Sequence, residues 1–238
     1  IQGYRIVPGT FYINDVAVRF SDQIGKSEVL VAAGTSSYRD ASRTIFGSDG
    51  DYGFFKGTEN DSGEWTWQRI PIYAENSNIL VQPIDIEISP ADERVWISTT
   101  RWRGQGGGAV YVANEDVTSF EKKFQVTEDT NDDGLVDAND LGGGRRTEID
   151  ISSNNTVWVL SQIENANGGL STPPVGILKA PNAFEGTVTR IELPSDIDNG
   201  ISDDDLTRGQ SFYDLMIKAD PSNPNVAYVG GIDLFRTD

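Results

Sequence analysis

Apolar and polar residues alternate along this chain in short runs broken by Gly, Asn, Asp, Pro and Ser, and no window carries a long stripe of period 3.6 with helix caps. Alternation with period two, with Val, Ile, Trp and Tyr at the apolar positions, predicts β-strands. Four segments share one pattern: an acidic residue, alternating apolar positions, a turn, then a second alternating run. They lead from Asp15-Val-Ala-Val-Arg to Val29-Leu-Val-Ala-Ala-Gly, from Asp85-Ile-Glu-Ile-Ser to Val95-Trp-Ile-Ser, from Glu148-Ile-Asp-Ile-Ser to Val157-Trp-Val-Leu-Ser, and from Asp214-Leu-Met-Ile-Lys to Val226-Ala-Tyr-Val-Gly-Gly. The leading acidic positions 15, 85, 148 and 214 lie 70, 63 and 66 residues apart.

Each unit continues into a third apolar run, beginning at Tyr52, Ala109, Val175 and Ile232. An edge-like fourth run follows in three of them, at Trp65-Thr-Trp-Gln-Arg-Ile, Glu121-Lys-Lys-Phe-Gln-Val and Thr187-Val-Thr-Arg-Ile-Glu-Leu. Four short antiparallel strands repeated at a fixed long period predict an all-β fold, a β-propeller whose blades bury their faces against their neighbours. A β-sandwich also spaces strands closely, but gives no reason for a repeat of this length. The units fall at about 12–73, 81–127, 146–194 and 211–238, the last incomplete, within one propeller segment spanning 1–238. Closed rings hold about four to eight blades. The expectation is therefore a partial propeller, a mature or trimmed segment beginning at Ile1.

Composition narrows the chemistry. With 37 acidic and 19 basic side chains the net charge is −18, and the chain holds neither Cys nor His. Thiol or imidazole catalysis, zinc on Cys or His, haem on His, disulfides and a Ser–His pair are excluded. Nucleic-acid binding is not expected, since a basic stripe is needed to displace counterions, and an anionic membrane surface would repel this charge. No apolar run is long enough to span a bilayer. Hard cations are the partners this charge attracts.

Two stretches resemble a known family. Thr58-Glu-Asn-Asp61-Ser-Gly63-Glu-Trp-Thr66-Trp67 resembles the turn Ser/Thr-x-Asp-x-Gly-x-Thr-Trp of BNR or Asp-box propellers, with one inserted residue, and Phe235-Arg-Thr237-Asp238 resembles its opening. That superfamily holds sialidases, sortilin-type receptors and xyloglucanases. The run from Asp220 to Asp238 is similar to secreted propeller proteins of Bacteroidetes, many with a type IX secretion signal. The resemblance implies a secreted or cell-surface protein. It also implies that Asp61 caps backbone N–H groups of the turn, that Gly63 supplies its special conformation, and that a Trp packs beneath it.

The sharpest chemical signal lies between units two and three. Asp129, Asn131, Asp133, Gly134, Leu135, Asp137 and Asp140 match the calcium loop D-x-[DN]-x-[DN]-G, with side-chain oxygens at places 1, 3, 5, 9 and 12 and the Leu135 carbonyl at place 7. Alternate residues of a tightly turning loop point inward, so these donors converge on one Ca2+ ion. Asp140 stands where a longer Glu is usual, which predicts weaker binding than in signalling loops. The flanks, Phe124-Gln-Val-Thr-Glu and Leu141-Gly-Gly-Gly-Arg-Arg, do not read as helices. The loop at 129–140 is therefore expected as an insertion between blades, and it resembles thrombospondin-type and dockerin-like loops. An acidic solvated loop would account for the charge but not for the placement of the donors.

Of the other acidic groups, Asp196 to Asp205 carries oxygens enough for a second ion but is better explained as a polar inter-blade loop, and Ser48 to Asp51 reads as a turn before the third strand. Arg101, Arg103, Arg145 and Arg146, with Trp102, are the residues an arginine cluster around a substrate carboxylate would use, if they converge. Gly106-Gly-Gly and Gly142-Gly-Gly lack the Lys-Ser/Thr and helix of a phosphate loop. The function expected is a calcium-binding module, adhesive or structural, whose partner is a glycan or protein at the propeller face or another part of the same polypeptide. The alternative is a glycoside hydrolase using paired carboxylates, for which 37 acidic side chains leave the choice open.

Overall fold

The computed structural model describes residues 12–34, 52–101, 106–126, 143–164, 170–194 and 205–237. Their strands form four antiparallel meanders. Blade one holds β1 (Tyr12–Ser21), β2 (Lys26–Gly34), β3 (Gly53–Glu59) and β4 (Trp65–Ile70); blade two holds β5 (Gln82–Ile88), β6 (Val95–Thr100), β7 (Ala109–Ala113) and β8 (Phe120–Gln125). Blade three holds β9 (Gly143–Ile151), β10 (Val157–Glu164), β11 (Leu170–Ala180) and β12 (Thr189–Ile191), and blade four β13 (Met216–Ala219), β14 (Ala227–Gly230) and β15 (Leu234–Arg236). Among the described elements, β1, β5, β9 and β13 contact one another in succession, so the first strand of each blade is the innermost. The molecule is an all-β partial propeller, its ring of sheets not closed.

The cores lie between blades. One apolar cluster joins Leu30, Phe54 and Ile70 of blade one to Ile86, Val95 and Ile97 of blade two. A second joins Trp96 and Val112 to Ile149 and Val159, and a third Trp158 and Ile177 to Ile217 and Val229. A middle blade is covered on both faces, so its second strand is buried throughout: β6 and β10 are buried at every position, apolar in their first halves and polar towards their ends. The end blades each keep one face uncovered. On blade one Val16, Val18, Phe20, Trp65 and Trp67 stand exposed, and on blade four Met216 and Leu234 do so.

The turns repeat a device. Asn60 Oδ1 accepts the N–H groups of Ser62 and Glu64, and Asn114 Oδ1 those of Thr118 and Ser119. The residue in the left-handed region is Gly63 in one turn and Val117 in the other. A β-branched residue is strained there, and the burial of Val117 in the first cluster offsets that strain. Arg19 and Lys56 share the buried carboxylate of Glu28 at 2.7 and 3.4 Å, then donate to the carbonyls of Glu115 and Asp116. Blade one thus grips the turn of blade two.

The two glycine-rich runs have a packing role. Gly108 N–H donates to the Arg145 carbonyl, and Gly144 N–H to that of Val126. A Cβ on Gly144 would lie 2.6 Å from the Gly108 Cα and 2.7 Å from Ser161 Oγ. Two backbones cross there with no room for a side chain. Gly144→Ala is predicted to cost about 1–3 kcal/mol of stability through overpacking. Gly176→Ala, whose Cβ would meet Ile163 at an ordinary 3.5 Å, gains up to about 1 kcal/mol instead. Denaturant midpoints of both variants check the contrast.

Candidate functional site

The inner strand of each blade has a free edge facing the axis, where backbone N–H groups have no strand to pair with. Acidic side chains of the preceding blade take that place. Asp15 Oδ2 accepts the N–H of Ile86 at 2.8 Å, and Asp85 Oδ2 that of Ile149 at 2.8 Å. Each Asp follows a register shift in its strand, between Ile13 and Asp15 and between Pro83 and Asp85. An extra residue at that point re-aims the next side chain.

The third junction departs from the pattern. Asp15, Asp85, Glu148 and Met216 occupy one register position, opposite Ala32, Ser98, Leu160 and Gly230. Blade four therefore has Met216 where the sequence repeat pointed to Asp214, which precedes the strand. The carboxylate comes from two residues farther along β9: Asp150 Oδ2 accepts the N–H of Ala219 at 2.7 Å. Glu148 is left to pair with Arg146 at 2.7 Å, and Arg146 also donates to the Tyr213 carbonyl.

These side chains enclose a cavity of about 140 Å³ lined by Asn14, Asp15, Ile84, Asp85, Arg146 and Glu148. Below it Lys218 pairs with Glu87 and lies 3.8 Å from Asp150. The crowding of carboxylates away from water favours their neutral forms. Burial, then the fields of Glu148 and Glu87, push the Asp85 carboxyl well above its ordinary value, against the Ile149 N–H. Burial likewise raises Glu148, against Arg146. Glu87 is pushed up to about 7 by burial and Asp150, with Lys218 opposing. Burial works against the Lys218 charge, but the hydrogen bond and field of Glu87 outweigh it and raise that ammonium. The axis therefore offers carboxyls whose acidity burial weakens, beside a guanidinium and an amide, a set that suits hydroxyl-rich ligands.

The residues singled out in the sequence have different fates. Asp129, Asn131, Asp133, Leu135, Asp137 and Asp140 lie outside the described residues, as do Trp102 and Arg103. Arg101 and Arg145 do converge, but on the buried carboxylate of Glu164 and not on an open site. Arg146 is separate from them and belongs to the axial cavity. Asp61 does not cap its turn. Asn60 does, while Asp61 is exposed and pairs with Lys26 at 2.5 Å. Nor does a Trp pack beneath that turn: Trp65 and Trp67 are about half exposed and stacked with ring centroids 6.1 Å apart, and Trp67 lies against Gly57 on the uncovered face of blade one. Asp205 caps its own turn through Thr207 and Gly209. Among the described residues no group of three or more acidic side chains is arranged to hold a metal ion.

Glu87, Asp150 and Lys218 were not singled out in the sequence. The signal was present in Asp85-Ile-Glu87 and Glu148-Ile-Asp150, where acidic residues two apart share one face of an inner strand.

The chain matches no known protein family, and no curated protein matches it. Among solved structures it is similar to the GH74 xyloglucanase from Xanthomonas campestris, with a TM-score of 0.51 and 12% identity over 96% of this chain. The chain spans about 30% of that enzyme's length. At this identity the likeness speaks for the propeller fold alone.

The Glu87 carboxyl generates a test. The folded chain keeps a proton on it that the unfolded chain releases near 4.5, so the stability this group contributes is complete below about pH 4.5 and is lost as pH rises through about 7. Between pH 5 and pH 8 the wild type should lose on the order of 2 kcal/mol more stability than Glu87→Gln. Equal losses in denaturant titrations at the two pH values would remove the assignment.

Proposed function

We propose that this chain is part of a secreted or cell-surface, calcium-binding propeller that recognises glycans at the axial cavity and serves as a binding and structural module. One observation carries the reading: side chains from three successive blades, Asp15, Asp85 and Glu148 with Asn14 and Arg146, converge on a single polar cavity. Sugar hydroxyls both donate and accept, and this set supplies carboxyl oxygens, an amide and a guanidinium around one half-open cavity. The proposed Asp-box relationship rests on the turn at 58–67 and is consistent with an extracellular setting.

A second reading is a glycoside hydrolase. Its support is the Asp85 carboxyl, whose pKa burial and the neighbouring Glu148 and Glu87 push upward, the direction a general acid requires, together with the fold shared with a xyloglucanase. Asp85→Asn separates the two. The amide oxygen still accepts the Ile149 N–H and mimics a neutral carboxyl, yet it cannot give up a proton. A binding module retains glycan affinity in this variant and neither form releases reducing sugar. An enzyme releases reducing sugar in the wild type and loses that activity on substitution. In both cases Arg146→Met should weaken glycan binding by about tenfold or more, the equivalent of one lost charge-assisted hydrogen bond. A broad glycan panel with neither binding nor turnover contradicts both readings.

The calcium proposal rests on the donor spacing of Asp129, Asn131, Asp133, Leu135, Asp137 and Asp140. An ion bound only by the folded chain raises stability by mass action, about 2.7 kcal/mol at a hundredfold excess over Kd. Melting should shift upward in millimolar calcium relative to chelator, and Asp133→Ala should abolish the shift. Identical midpoints in calcium and chelator argue against an ion.

A further inference from the structure

The inner strands carry their axial side chains in two rungs, because residues two apart on a strand share a face. The lower rung is Ala17, Glu87, Asp150 and Lys218, opposite Leu30, Trp96, Trp158 and Tyr228. Here blade four answers the acids of blades two and three with a cation: the Lys218 ammonium pairs with Glu87 and lies 3.8 Å from Asp150. The upper rung is Asp15, Asp85, Glu148 and Met216. It has one acid more and no lysine. Arg146, two residues before Glu148, is the cation that answers this rung, and it is bound to Glu148 at 2.7 Å.

The upper rung lines the axial cavity of about 140 Å³. Each of its acids keeps one oxygen in reserve. Asp15 and Asp85 accept backbone N–H groups through Oδ2, and Glu148 accepts the Arg146 Nε–H through Oε1. Among the described residues Asp15 Oδ1, Asp85 Oδ1 and Glu148 Oε2 accept no hydrogen bond. Both aspartates are turned towards blades within the chain, Asp15 to β5 and Asp85 to β9, so the arrangement does not arise at the open faces of blades one and four. Burial raises the Glu148 carboxyl, and Arg146 and Lys218 oppose that rise. Positive charge brought into this space therefore favours the ionised carboxylates.

A bare metal ion does not suit the set, because Asp15, Asp85 and Glu148 have each given one oxygen to an N–H and no acidic group among the described residues is arranged for a metal. A primary ammonium does suit it: it has three N–H donors, one for each oxygen in reserve. Lys218 shows this protein holding the same group one rung below. The remaining lining calls for hydroxyls. Arg146 keeps Nη2 after donating through Nε and Nη1, and Asn14 keeps Oδ1 after its amide donates to the Pro83 carbonyl. An alkyl ammonium such as a lysine side chain would leave both unused. We infer that the axial cavity takes an amino sugar with a free amine, its ammonium seated on Asp15, Asp85 and Glu148 and its ring hydroxyls on Arg146 and Asn14. This inference rests on the glycan reading of the cavity and narrows it.

The full chain is titrated calorimetrically with glucosamine, N-acetylglucosamine, glucose and butylamine in about 0.15 M salt, which screens its net charge. Glucosamine should bind with a Kd of about 1 mM or tighter, and the other three about tenfold or more weakly, the equivalent of one charge-assisted hydrogen bond. Met216→Lys puts a lysine on the rung that lacks one. Its ammonium should take the three acids for itself and weaken glucosamine by about tenfold or more, whereas Met216→Gln leaves the affinity within about twofold. Met216 is 44% exposed, so both variants should fold, and their melting midpoints check this. Equal affinity for glucosamine and the neutral sugars overturns the inference and leaves the glycan reading standing. Butylamine binding as tightly as glucosamine overturns it in favour of a lysine side chain. Glucosamine binding that survives Met216→Lys in a folded chain puts the sugar elsewhere and overturns it too. Binding by none of the four also overturns it, while the broad glycan panel decides the wider reading separately.

Discussion

The constraint from which this structure follows is the inner edge of each sheet. A strand nearest the axis has one hydrogen-bonded neighbour and one bare side, and the N–H groups on that side have no strand to pair with. Left unpaired they would carry the desolvation cost of buried donors. The protein answers with carboxylates: Asp15, Asp85 and Asp150 each accept one N–H from the next blade. A side chain can reach where a backbone cannot. The same bond ties successive blades together at their inner strands, and apolar clusters pack between the blades.

Placing acids on an axis has a chemical consequence. Asp85, Glu87 and Glu148 are brought close together in a region of little water, where like charges cannot all persist. Protonation and the cations of Arg146 and Lys218 relieve the repulsion. Architecture and site chemistry are thus one feature here. The residues that stitch the blades are the ones with altered acidity, and the cavity they enclose is where three blades present polar groups together.

Much of the architecture was legible before the structure. Alternation in Asp85-Ile-Glu-Ile and Val157-Trp-Val-Leu marks strands, and the acid recurring at the head of each alternating run marks the repeat. What was hidden depends on contacts between distant segments. Nothing local says that Arg101 and Arg145 are both consumed by Glu164, or that Gly108 and Gly144 lie against each other. The repeat also misled where it was followed too literally. In blade four Met216 holds the acid's position, and only the strand register reveals that Asp150 has taken over the bond. At the turn after β3 the motif directed attention to Asp61, while geometry gives the capping to Asn60, as to Asn114 one blade later.

Native-state hydrogen exchange tests the stitching most directly. The amides of Ile86, Ile149 and Ala219 sit on free strand edges, where exposed N–H groups exchange through small local openings. If the carboxylates of Asp15, Asp85 and Asp150 hold them, these three amides should exchange only as slowly as the buried amides of β6 and β10. Fast exchange at all three, with β6 and β10 still protected, would contradict the account.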